Sequence, residues 1–358
     1  MQVLYNPSAT IQCSCANVGL AFVDGRNLSV QKIAIRYCGR TVHNMLGMNQ
    51  QSWYERQLGL ETITFTALLL ANVHTLRIEE VYVESSTGYG LLVWNVFGDC
   101  VVLNSKFLYN SNIDATKEHY TQSESPTSVE RRRMSRAGGN ALFILHKFEI
   151  SLEITGSQFS HGANGGFSSN VYWPLLKNNP ILPGVGGGLG ILMKTAGTFY
   201  PRNSPVYLSN CTFNSNVAHF GANLFIYIRM DSTFQNWRSS NDPCYFDHIR
   251  VIISNCSFNN GQAGYSGGGL YFESDIGLQI DDCISPVLYI EILQSNISGN
   301  SGVAGGGITV RTRSSVETIH FRIVACTFYR NKAKVGAGLY ALLCHLAWAD
   351  QRSRTHFN

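Results

Sequence analysis

Four short groups of residues have types and spacings that could support chemistry. Asp281-Asp282 is the only pair of adjacent aspartates in the sequence, and two carboxylates can act as acid and base in glycoside cleavage. His161-Gly162 presents an imidazole, and Arg330-Asn331-Lys332 presents two cations of the kind that bind acidic sugars. Cys13 and Cys15 are spaced like a metal-binding pair, but no second Cys or His pair follows at the spacing of a zinc site.

Each group also has a structural interpretation, which we favour in all four cases. The Asp pair lies between two repeats, where a solvated turn is expected. The sequence shows no acidic partner for His161, and Asn331 belongs to a repeated turn. A disulfide or free thiols are expected at Cys13 and Cys15. The sequence therefore predicts no catalytic residue and no metal site, and it has no phosphate loop or dinucleotide fingerprint to bind a cofactor.

An internal repeat indicates the elements that position these residues. Each unit contains a β-rich run, Cys or Ser, one residue, Phe or Ile, usually an Asn three residues later, and a Gly-rich step into Leu or Ile. Successive Phe or Ile positions are separated by 52, 54, 45, 39 and 31 residues, which indicates one structural unit with loops of variable length. These positions are Phe107, Phe159, Phe213, Phe258, Ile297 and Phe328.

Alternating apolar and polar residues in each unit predict short strands with one inward face. One unit cannot bury that face alone, but stacked units can, with equivalent residues about 4.8 Å apart. We expect about seven units. Cys211, Cys256 and Cys326 share one position and should point into the core, although disulfides between neighbouring units stay possible. The repeated amides should satisfy backbone groups in a turn ladder of Asn110, Asn216, Asn300 and Asn331.

The two recurring submotifs resemble the repeats of the pectin-lyase-like superfamily, of polymorphic outer-membrane proteins and of right-handed β-helix domain-containing proteins. Phe-x-x-Asn occurs as Phe107-Asn110, Phe213-Asn216 and Phe328-Asn331, and the glycine step as Gly267-Leu270 and Gly305-Ile308. The resemblance covers about residues 19–343. It implies an all-β fold, a single-stranded right-handed parallel β-helix (solenoid) with variable loops.

The domain prediction is a β-helix domain over residues 1–343, a long loop insertion at about 112–139 and a non-repeat tail at 344–358. The chain is expected to be part of a longer protein, because the stack has no obvious capping elements. Only 14% of the residues are charged, against roughly 25% in a typical soluble domain, and the net charge is +4. This small, scattered charge excludes nucleic acid as a partner, and no continuous apolar stretch predicts a membrane span.

Compartment is suggested by four Asn-x-Ser/Thr sequons, at Asn27, Asn210, Asn255 and Asn296. They favour an extracellular or cell-surface location, although the first 20 residues lack the pattern of a signal peptide. Tyr89, Trp94, Tyr172 and Trp173 could line a sugar-binding face, but packing against the fold is the more ordinary role for strand aromatics.

The function expected is a non-enzymatic module for adhesion or glycan binding, with a polysaccharide or cell-surface protein as partner. A divergent polysaccharide lyase or glycoside hydrolase is the first alternative. It would gain support if three or more Asp, Glu, His or Arg side chains converged in one groove across adjacent units. A purely structural fragment of a larger receptor is the second alternative.

Overall fold

The computed structural model describes 13 segments of the chain, and every regular element in them is a β-strand. No helix occurs in these segments, so the predicted all-β class is confirmed for the described part of the chain. The segments are residues 7–13, 18–38, 66–110, 139–146, 151–164, 186–198, 203–231, 244–246, 248–276, 283–284, 287–312, 318–343 and 356–357.

The six strands that carry the repeated Phe or Ile belong to one nine-stranded parallel sheet, which we call row A. Each strand pairs in register with its equivalent in the next repeat, as in Phe159 with Phe213. The nine strands of the sheet are more than the roughly seven units expected from the sequence. The first strand carries no recognisable motif, so it could not be counted as a unit. Row A contains β1 (Ala9–Gln12), β3 (Ile33–Arg36), β5 (Tyr82–Glu84), β8 (Lys106–Leu108), β11 (Gln158–Ser160), β14 (Thr212–Asn214), β19 (Ser257–Asn259), β24 (Asn296–Ser298) and β27 (Thr327–Tyr329).

The strands on either side of row A belong to an 18-stranded sheet with two parallel rows. Row B follows the glycine step, and row C precedes the Cys or Ser position. The long strands β2 (Val18–Gln31) and β4 (Thr66–Glu79) join the rows, because their first halves pair in row B and their second halves in row C.

The other strands of row B are β6 (Tyr89–Val96), β9 (Gly139–His146), β12 (Leu189–Thr198), β16 (Leu224–Asp231), β21 (Leu270–Ile276), β25 (Ile308–Thr312) and β28 (Leu339–Leu343). Those of row C are β7 (Cys100–Leu103), β10 (Leu152–Thr155), β13 (Asn203–Ser209), β18 (His248–Ser254), β23 (Val287–Leu293), β26 (Thr318–Val324) and β29 (His356–Phe357). The last two strands of the 18-stranded sheet are β17 (Cys244–Phe246) and β22 (Cys283–Ile284), which pair with each other; β17 joins the sheet through an antiparallel pairing with the end of β12. A separate two-stranded sheet pairs β15 (Val217–Phe220) with β20 (Gln262–Ser266).

Residues with a left-handed backbone form the corners at both ends of the row A strands. Around β19, Asn255 has a φ of 52° before the strand and Asn260 a φ of 51° after it. Asn210 and Ser215 flank β14 with φ values of 53° and 55°. Asn adopts this conformation more readily than most residues because its short side chain bonds locally to the backbone. These corners let the chain pass abruptly from row C to row A and onwards to row B.

The interior is filled by side chains that stack from one repeat to the next. The rings of Phe107, Phe159, Phe213 and Phe258 are stacked in series, with centroids 5.2, 5.1 and 4.7 Å apart. All four are fully buried. Ile297 continues this column and is also buried, and Phe328 follows it half-buried in the last described strand of row A. Such stacking converts each row of single apolar residues into a continuous core.

Six asparagines form a continuous chain of side-chain hydrogen bonds along the repeats. In each bond the Nδ2 atom of one Asn donates to the Oδ1 atom of the next, at 2.8–3.1 Å. Each Nδ2 atom also donates to a main-chain carbonyl oxygen in or next to a row A strand, at 2.7–3.2 Å. We call this set the asparagine chain; in order, its members are Asn110, Asn140, Asn216, Asn223, Asn300 and Asn331.

Each amide of the asparagine chain faces a glycine from the neighbouring repeat. Asn223 precedes a row B strand and faces Gly261, where an added Cβ would lie 2.6 Å from the Nδ2 atom. Asn216 follows a row A strand and faces Gly188, where that distance would be 2.8 Å. The amide thus comes either from the corner after row A or from the corner before row B. In both cases the residue that it faces in the neighbouring repeat is a glycine, which has no side chain. The other pairs are Asn110 with Gly90, Asn140 with Gly162, Asn300 with Gly269, and Asn331 with Gly307.

Two parts of the predicted domain organisation, the loop insertion and the tail, are only partly described. Residues 111–138, which include most of the predicted loop insertion, lie outside the described residues. In the predicted tail, β29 pairs in parallel with β26 through His356 and Phe357. A short part of the tail therefore adds a strand to row C.

Candidate functional site

Among the groups singled out in the sequence, His161 and the Arg330–Lys332 pair lie on different repeats in the described part of the chain. His161 is an exposed corner residue after β11, with its ring stacked on Tyr109 at 4.6 Å. Arg330 and Lys332 are exposed at the corner after β27, on a different repeat. The Arg330 guanidinium lies over the ring of Tyr329 at 4.9 Å. Asp281 and Asp282 lie outside the described residues.

The cysteines occupy two kinds of position. Cys13 forms a disulfide with Cys38, and Cys15 lies outside the described residues. Cys211 and Cys256 are buried free thiols, and each Sγ donates at 3.2 Å to the carbonyl oxygen two residues earlier. Cys326 is a half-buried thiol with an equivalent contact at 3.4 Å. In the described residues, no group of three or more His, Cys, Asp or Glu side chains is arranged to hold a metal ion.

Two of the four sequons arise from the corner between rows C and A. Asn210 and Asn255 are exposed and left-handed, the next residue is the inward Cys, and the following Thr or Ser is the first outward residue of row A. The repeat itself therefore generates the Asn-x-Ser/Thr pattern at these places. Asn27 is exposed on β2. The Asn296 amide on β24 donates at 3.3 Å to Asn259 and to Ser298.

The aromatic candidates do not form an exposed platform where they are described. Tyr89 is fully buried and Trp94 is 7% exposed, both on the outer side of row B. Burial raises the pKa of Tyr89 well above its usual range, so its hydroxyl stays protonated. Tyr172 and Trp173 lie outside the described residues. The structure therefore gives Tyr89 and Trp94 a packing role.

A different set of aromatic and charged side chains is exposed on the outer surface of row C. We call it the tyrosine–arginine face. Tyr289 is 39% exposed, and its ring stacks on the His320 ring, with centroids 4.8 Å apart and planes 8° from parallel. Tyr207 is 38% exposed on β13, which is separated from the Tyr289 strand by β18. The face comprises Tyr207, Arg250, Tyr289, Glu291, His320 and Arg322, from β13, β18, β23 and β26.

The charged part of this face is an ion-pair network centred on Glu291. Glu291 Oε2 lies 3.3 Å from an Arg250 nitrogen, and Glu291 Oε1 lies 3.8 Å from an Arg322 nitrogen. The side chains of the two arginines are 53% and 60% exposed, whereas that of Glu291 is 20% exposed. Two cations thus share one carboxylate, which leaves a net charge of +1 from these three residues next to the stacked rings.

The sequence repeat contains a signal that could have located this face. Tyr207, Glu291 and Arg322 each stand four residues before the Cys or Ser of their repeat. Arg250, Tyr289 and His320 each stand six residues before it. Register pairs Arg250 with Tyr289, Tyr289 with His320, and Glu291 with Arg322. A comparison of these two outward positions across the repeats would therefore have identified these residues as one group.

A second polar cluster lies on the outer side of row B. Tyr271 donates at 2.8 Å to Glu273, which is 2% exposed, and Tyr227 donates at 3.1 Å to Asp275. Burial, and then the charge of Glu273, raise the pKa of Tyr271 well above its usual range, which keeps this donor protonated. Register places Arg311 beside Glu273, and Arg229 lies beside Asp275 in the same way. Four charged residues therefore lie across three adjacent strands.

In the described residues there is no helix long and apolar enough to cross a membrane.

Comparisons with known proteins do not extend these observations. A scan against protein-family models and searches of curated proteins and of solved structures found no match to this chain.

Proposed function

We propose that the stacked rows form a right-handed parallel β-helix like those of the pectin-lyase-like superfamily. The support is the order of the strands: each repeat adds one strand to row C, then row A, then row B, always parallel to the previous repeat. Connections between parallel strands of one sheet are right-handed in about 98% of cases. Nine strands in row A then correspond to nine coils.

We propose that the chain is a non-enzymatic extracellular or cell-surface module that binds glycans through the tyrosine–arginine face. The observation that carries this proposal is the exposed Tyr289–His320 stack beside Arg250 and Arg322. An aromatic ring offers a flat apolar surface to a sugar ring, and guanidinium groups donate several hydrogen bonds in a fixed geometry. The flanking strands are held by ladder pairing, so this surface is pre-organised.

Replacing Tyr289 with Ala should weaken glycan binding by at least about tenfold, since an exposed aromatic in a binding surface is a typical hot spot. The free energy of unfolding should change by no more than about 0.5 kcal/mol, because the ring is largely outside the core. Binding is measured on a glycan array and then by calorimetry on the polymers that bind.

The matched control is Tyr329→Ala, which removes a 56% exposed tyrosine from row A, away from this face. It should leave binding unchanged. Equal loss in both variants would contradict the assignment to row C. Absence of binding in the wild-type chain, together with absence of turnover, would instead favour a purely structural role.

A glycoside hydrolase is a second candidate, favoured by the acidic pair on β21. Glu273 and Asp275 are two residues apart, so both lie on the same side of the strand. Glycoside hydrolases cleave with a pair of carboxyl groups, one of which acts as acid and the other as base or nucleophile. Release of reducing ends from any polymer, lost in Glu273→Gln, would support this candidate and overturn the non-enzymatic proposal.

A further inference from the structure

Glu291 lies where a bound anion would meet both arginines of the tyrosine–arginine face. Its two carboxylate oxygens are divided between Arg250 on β18 and Arg322 on β26, and no other acidic side chain is within 4 Å of either arginine among the described residues. Glu291 is the less exposed member of each pair, and its strand β23 lies between the strands of the two arginines. The carboxylate therefore lies between the two guanidinium groups, on the same strand as Tyr289.

Guanidinium groups that are more than half exposed keep some of their N–H donors in water. Each exposed ion pair is a weak interaction that an incoming anion can replace, because the same hydrogen bonds can be made to another carboxylate or to a sulfate. A ligand that carried such a group would thus compete directly with Glu291 for Arg250 and Arg322. A neutral ligand would meet no such competition and gain nothing from displacing the carboxylate.

We infer that the ligand of this face is an anionic glycan, and that Glu291 is an internal competitor which sets the affinity of the face for it. This inference rests on the proposed glycan-binding function. The sugar ring stacks on Tyr289 while its carboxylate or sulfate group takes the place of Glu291 on Arg250 and Arg322. Glu291 meanwhile keeps the unliganded arginines in position and lowers the net positive charge of the face.

The test uses the full chain and the isosteric variant Glu291→Gln, with alginate as a carboxylated probe, heparin as a sulfated probe and dextran as a neutral probe. Loss of the competing charge should tighten binding to at least one anionic probe by about threefold to tenfold. The salt dependence should become steeper, because an additional uncompensated cation faces the ligand. Arg250→Gln should weaken the same binding by a similar or larger factor.

A matched control exists at the other end of row C. Arg77 and Glu79 on β4 form a surface ion pair at 3.0 Å, with exposures of 46% and 26%. Glu79→Gln makes the same change in total charge, and it should leave binding unchanged within about twofold if the effect belongs to the face. Equal tightening in Glu79→Gln and Glu291→Gln would assign it to net charge alone and overturn the inference.

The outcomes separate this inference from the proposed function. Anionic binding that is unchanged or weakened in Glu291→Gln would overturn the role of Glu291 while leaving glycan binding in place. Binding to dextran alone would overturn the anionic ligand in the same way. Absence of binding to all probes and to a glycan array would overturn the proposed function itself. A gain with alginate only, or with heparin only, identifies the carboxylate or the sulfate as the recognised group.

Discussion

Replacing Phe213 with Ala is expected to lower the free energy of unfolding by about 3–5 kcal/mol, the cost of removing a buried aromatic ring. The ring lies between those of Phe159 and Phe258, with centroids 5.1 and 4.7 Å away, and is fully buried. In-register strands hold both neighbours in place, so they cannot close the gap without disturbing the ladder. The measurement is equilibrium unfolding in urea, followed by circular dichroism.

The control for this prediction is Phe213→Leu, because the same column accepts Ile at position 297 with full burial. An aliphatic side chain should restore most of the contact and cost no more than about 1–2 kcal/mol. A loss below about 1 kcal/mol for the Ala variant would contradict the rigid stacked core and would indicate that neighbouring repeats collapse into the space.

Asn223→Ala should lower the free energy of unfolding by about 3 kcal/mol, since buried groups that lose their partner cost about 1–3 kcal/mol each. Its side chain accepts from Asn216 at 2.8 Å and donates to Asn300 at 3.0 Å and to the Asn259 carbonyl oxygen at 3.2 Å. Asn223 is fully buried, so water cannot readily take over these bonds. The same unfolding experiment gives the magnitude.

Asn27→Ala serves as its control, because Asn27 is exposed on β2 and should cost less than about 0.5 kcal/mol. Gly261→Ala tests the other half of the pair. An added Cβ would collide with the Gly268 carbonyl oxygen and with the Asn223 amide, so this variant should also be destabilised. If Asn223→Ala were as stable as Asn27→Ala, the asparagine chain would have no role in stability.

Local sequence patterns predicted the parts of the fold that repeat at a fixed distance from the Phe or Ile position. Phe213 and Cys256 were placed by such offsets, because an inward position in a stacked strand accepts few residue types. Asn223 was not predicted, because its partner Gly261 lies 38 residues away and the pair is defined only by stacking. In two repeats, however, Gly stands where the Asn of the Phe-x-x-Asn motif is expected. This substitution indicates that an Asn from another position must supply the amide in those repeats.

The candidate site was harder to predict for a physical reason. Outward positions such as Tyr289 and Glu291 face solvent, so packing does not restrict their residue types and they follow no repeated pattern. Their grouping depends on register between strands separated by long and unequal connections. The acidic pair considered first, Asp281-Asp282, is defined by adjacency in the sequence, which says little about convergence across a stack.

The asparagine chain also has a polarity. All five links run the same way, with the Nδ2 atom nearer the N-terminus donating to the Oδ1 atom nearer the C-terminus. One amide cannot reverse without breaking the bonds on both sides of it. The side-chain dipoles therefore add along the stack, as peptide dipoles add along a helix, and mutual polarisation in such a chain strengthens each hydrogen bond by about 10–30%. The two ends of the asparagine chain, at Asn110 and at Asn331, thus differ electrically although their side chains are uncharged.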